Sequence, residues 1–108
     1  MILKYEILMD NKAIITNLKR IINQIYKLLP SREEGLDWEK PLSTLIEEIA
    51  GMSNLLVGQQ EILFPLLCKL EGLFTLTETK DFFLFRRTIF ECLSLINDLT
   101  NRCQKEKI

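Results

Sequence analysis

The sequence predicts an all-α fold, an antiparallel up-down four-helix bundle, on three observations. Apolar residues recur at alternating steps of three and four in four separate segments. Short polar or Gly- and Pro-bearing breaks separate these segments, which makes consecutive helices antiparallel neighbours. No strand signal competes, since the chain holds no Asn-Gly or Asp-Gly dipeptide and no extended alternation of β-branched residues. With 108 residues, 47% of them apolar and 27% charged, the expectation is one soluble globular domain over residues 1–108.

The first helix is predicted over residues 10–29. Ile14, Leu18, Ile21, Ile25 and Leu28 form one row, with Ile15, Ile22 and Leu29 in a second row beside it. Asp10 or Asn11 can cap its start by accepting from the free N–H groups of the first turn. Pro30 is expected to end it, having no N–H and disfavouring the helical conformation at Leu29. Residues 1–9 either prolong this helix, since Met1, Leu8, Ile15 and Ile22 are spaced by seven, or form an extension of it. Helix is favoured over strand there.

A polar loop, Pro30 to Leu36, leads to a second helix predicted over residues 38–57. Asp37 caps it, and Pro41 falls in the first turn, where its missing N–H has no intrahelical acceptor to lose. Trp38, Leu42, Leu45, Ile49, Met52 and Leu56 make its stripe. Trp38 opens that row, so burial at the bundle's end is expected, and exposure would make it an interface anchor. Gly51 costs about 1 kcal/mol against Ala, which predicts close approach of a neighbouring helix. Gly58 closes the segment.

The third helix, over residues 60–75, is the most apolar and is expected to be buried nearly all round. Pro65 either lies in its first turn or kinks it. The fourth, over residues 78–103, carries Phe82, Phe85, Ile89, Cys92, Ile96, Leu99 and Cys103 in an unbroken heptad row. Thr75-Leu76-Thr77-Glu78 has capping-box spacing, and Thr77 or Thr79 could equally cap. Residues 104–108 are expected to fray.

Composition excludes much chemistry. With no histidine, Ser-His-Asp and Cys-His nucleophile pairs and His-containing metal sites are ruled out. The four glycines stand apart, so no phosphate-cradling loop exists. Glu33-Glu34 and Glu47-Glu48 are adjacent on the chain, and adjacent helical residues diverge by about 100°, so neither pair converges on one atom. A non-enzymatic protein without metal or cofactor is expected. The three cysteines, an odd number with no Cys-x-x-Cys, read as small hydrophobes of a reduced core. With no signal-peptide pattern and no long apolar run, a cytoplasmic protein without membrane contact is the expectation.

Charge is uneven although the net charge is −1: residues 30–61 carry two bases and seven acids, while residues 1–29 carry five bases and two acids. The expected function is protein–protein interaction or regulation through a rigid helical surface. The residues expected to form it are the acidic group Glu33, Glu34, Asp37 with Trp38, and the aromatic–arginine group Phe83, Arg86, Arg87 and Phe90. The surplus of apolar positions also predicts a homodimer. One alternative is an acidic accessory or inhibitor protein that binds a nucleic-acid-handling partner. The other is a weak nucleic-acid binder using Lys12, Lys19 and Lys27, which the near-neutral net charge disfavours.

Overall fold

The apolar rows become one continuous core. The computed structural model describes residues 11–56 and 58–105. Helices α1 (Asn11–Glu33), α2 (Glu39–Met52), α3 (Gln60–Gly72) and α4 (Phe82–Lys105) follow in chain order, with 3₁₀ turns at Leu73–Thr75 and Thr79–Asp81 between the last two. Each helix packs on its neighbours in sequence, and α1 closes the ring against α4 through the largest contact. The body is a rod of 47 × 20 × 18 Å. The first rows of all four helices meet inside it, from Ile14, Leu18 and Ile21 on α1 to Phe85, Ile89 and Ile96 on α4. Ile15, Ile22 and Leu29 pack at its margin.

The helix ends depart from expectation in instructive ways. Pro30 does not stop α1, which runs on to Glu33. Its ring forfeits a single bond, that to the Tyr26 carbonyl, and α1 ends one turn later at Gly35. That glycine has φ +75°, its N–H donates to the Arg32 carbonyl (3.2 Å), and the Leu36 N–H donates to the Ser31 carbonyl (2.8 Å). The pair is a Schellman closure, which needs the left-handed conformation glycine adopts freely.

Asp37 does cap α2: its Oδ1 accepts from the N–H groups of Glu39 (3.1 Å) and Lys40 (3.2 Å). Regular α2 stops at Met52 and not at 57; the Ser53 hydroxyl donates back to the Ala50 carbonyl (2.6 Å) there, and the chain continues in turns that still bury Leu56. Gly58, at φ +87°, closes that turn and not the helix itself. Gly51 is exposed, and no atom comes within 4 Å of where its Cβ would stand, so the expected close helix approach is not made.

Pro65 is the sixth residue of α3, past the first turn, and the helix continues on both sides of it. Only one face of α3 is buried, through Ile62, Leu63, Leu66 and Leu70. Phe64 stands 71% exposed and Cys68 is exposed too, so the expectation of all-round burial fails. High apolar content had hidden an outward face. No threonine caps the approach to α4. Glu78 begins the 3₁₀ turn Thr79–Asp81 that leads into α4, its N–H donating to Asp81 Oδ2 (3.2 Å) in capping-box fashion. Residues 104 and 105 belong to α4, and the expectations for residues 1–9 and 106–108 fall outside the described residues.

Candidate interaction surface

The first two turns of α4 present side chains that the core has no room for. Phe85 and Ile89 fill the inner row, leaving Phe83 and Phe90, seven residues apart, on the opposite side. Phe83 is 80% exposed, and Leu84 and Phe90 are exposed beside it. Phe90 is held by two neighbours. The Tyr26 ring of α1 meets it edge-on at 6.2 Å, and the Arg86 guanidinium lies 5.3 Å above its centre. Such a cation over an aromatic face is favourable by about 0.5–1 kcal/mol at an exposed site. The predicted Arg86 and Phe90 are therefore brought together, Tyr26 joins them, and Phe83 stands two turns before Phe90 on the same side of α4, lining a concavity with Arg86.

Arg87 pairs along α4 itself. Its Nε lies 3.5 Å from Glu91 Oε2, and Lys69 of α3 donates to Glu91 Oε1 at 3.0 Å. The Lys69 hydrogen bond, with the charges of Lys69 and Arg87, holds the Glu91 carboxyl below its usual range. Arg86 has no carboxylate partner among the described residues. Around this turn lies an open concavity of about 510 Å³ lined by Lys80, Asp81, Phe83, Leu84, Arg86 and Arg87. Its one acid, Asp81, is already engaged by the Glu78 N–H.

Trp38 does not belong to this surface. It is half-buried, edge-on to Phe85 at 5.0 Å and stacked on Phe74 at 6.4 Å, closing the end of the core. Beside it stands Arg32, which sequence reasoning missed. Its Nη2 donates to the carbonyls of Leu76 and Glu78, both at 2.8 Å, tying the end of α1 to the start of α4. The signal existed, since Arg32 follows Ile25 and Leu28 at the next steps of the core row. Taking Pro30 as the helix end obscured it.

Glu33 and Glu34 are exposed at the α1–α2 turn without ion pairs among the described residues, with Leu36 57% exposed and Asp37 serving as cap. Elsewhere in the acidic middle, Glu48 pairs with Arg20 and Glu61 with Arg102, both between helices. Lys12, Lys19 and Lys27 are all exposed. Lys27 lines a separate concavity of about 320 Å³ between α1 and α2 that neither of the others reaches.

Chemistry at the cysteines is limited. Cys92 and Cys103 are buried, as expected, whereas Cys68 faces solvent. Burial pushes the Cys92 thiol up to about 12, so it stays protonated at neutral pH. Among the described residues no three Cys, Asp or Glu side chains converge as a metal site, and no helix is long and apolar enough to cross a membrane. No family model, curated protein or solved structure matches the chain.

Proposed function

We propose that this protein acts by binding, as an interaction or regulatory module whose working surface is the α4–α1 margin around Phe83, Arg86, Phe90 and Tyr26. The carrying observation is Phe83, a large apolar ring left in water on a helix whose other face is fully packed. An exposed aromatic beside an arginine with no carboxylate partner among the described residues is the composition of an interface anchor. Tyr26 and Arg86 already fix Phe90, so little side-chain freedom is lost when a partner arrives. A reducing compartment such as the cytoplasm is part of this reading, supported by the buried Cys92 thiol. It allows the partner to be a different protein or a second copy.

The test is site-specific crosslinking in the cell that makes the protein. A photo-reactive phenylalanine analogue replaces Phe83 in one variant and exposed Ser43 of α2 in another. The proposal expects a discrete protein adduct from position 83 and none from position 43. No adduct at 83, or equal adducts at both, contradicts it.

A further inference from the structure

An acidic turn and a concavity that holds an unpaired arginine share one end of the bundle. Arg32 shows this directly: it immediately precedes Glu33 in the chain and bonds to the carbonyls of Leu76 and Glu78 just ahead of Lys80. On one side lies the α1–α2 turn, with Glu33 and Glu34 unpaired among the described residues and Leu36 exposed. On the other lies the α4 concavity, with the exposed apolar Phe83 and Leu84 among Lys80, Arg86 and Arg87; Lys80 pairs with Glu78 and Arg87 with Glu91 at the surface, which leaves Arg86 as its cation without a carboxylate among the described residues. Neither glutamate pairs with these cations within the chain.

We propose that the occupant of the concavity is a second copy of this chain, the Glu33–Glu34–Leu36 turn of each protomer seating on the Arg86–Arg87–Phe83 concavity of the other. In a two-fold pair the same surface meets itself, so a patch of one sign repels its copy. A patch carrying both signs side by side is self-complementary. The apolar groups match as well, since Leu36 emerges between the acids and Phe83 and Leu84 between the cations. Both halves of the contact are made twice. The inference rests on the reading of the Phe83–Arg86 margin as a binding surface and names its partner.

Sedimentation equilibrium on the full chain, at low salt and at high salt, tests it. The chain is expected to sediment at twice 12.7 kDa in low salt. Its dimer dissociation constant should rise about tenfold as salt screens the contacts. Arg86→Glu with Arg87→Glu should be monomeric, and so should Glu33→Lys with Glu34→Lys, each repelling its own copy at both contacts. Mixing the two variants should restore a dimer, because each then offers the charge the other needs. All four positions are exposed, so unchanged helical circular dichroism verifies that the variants fold. A chain monomeric at every concentration overturns the inference, as does a dimer that survives in either reversed variant or a mixture that stays monomeric. A monomer that still gives a crosslink to a foreign protein at position 83 overturns this inference alone and leaves the binding surface standing. If both fail, the surface reading falls with it.

Discussion

The Arg32 guanidinium lies 4.7 Å from the ring centre of Phe85, a side chain wholly withdrawn from solvent. A charge so placed is tolerable because its polar edge is satisfied by the carbonyls of Leu76 and Glu78 while its face covers Phe85 and Phe82. Arg32→Ala removes two charge-assisted bonds and a cation–ring contact. It is expected to lower the unfolding free energy by about 2 kcal/mol in urea titration. Arg32→Lys should recover under half of that, since an ammonium cannot both stack on the ring and fork to two carbonyls.

Gly35, and not Pro30, terminates α1. Gly35→Ala forces a side chain into φ +75° and is expected to cost about 1 kcal/mol. Pro30→Ala should stabilise the protein, because the Tyr26 carbonyl regains its intrahelical partner while the Gly35 closure is untouched. Urea midpoints moving in opposite directions for these two variants confirm the assignment. A loss of stability in Pro30→Ala contradicts it.

The three thiols should separate by reactivity. Cys68 is expected to be alkylated by iodoacetamide in the native protein, with Cys92 and Cys103 protected until unfolding. Mass spectrometry of the labelled peptides reads this out, and labelling of Cys92 at a rate matching Cys68 would count against the packing described.

Cys92 also gives stability a pH dependence. Its folded value, about 12, lies above the ordinary 9.0. Below about pH 9 the thiol is protonated in both states and its contribution is intact. As pH rises through the window from 9.0 toward 12 the unfolded chain loses the proton first, so stability falls. Cys92→Ala, though less stable at neutral pH through its lost packing, should show a shallower fall across the same window.

The sequence carried the core almost completely. A buried row needs only spacing, so Ile14 to Leu28, Leu42 to Leu56 and Phe85 to Cys103 were legible as stripes. Helix ends were less so, because Pro30 on an exposed face forfeits one bond without breaking the helix, whereas Gly35 ends it through a backbone angle that no spacing reveals. The outward face of α3 escaped notice since Phe64 and Cys68 add to apolar content wherever they point. At the surface, Phe83 and Phe90 announced themselves by lying off the core row. Tyr26 did not, because what makes it part of the patch is a ring on another helix. That the end of α1 and the approach to α4 meet at one end of the bundle is likewise set by how α1 docks on α4, a relation between segments far apart in sequence.

The central claim is that Phe83 serves a partner and not the fold, and paired urea titrations of Phe83→Ala and Phe85→Ala test it most directly. A change within about 0.5 kcal/mol is predicted for the exposed ring and a loss of about 3–5 kcal/mol for the buried one. A destabilisation by Phe83→Ala approaching that of Phe85→Ala would show the ring to be part of the core and would contradict it.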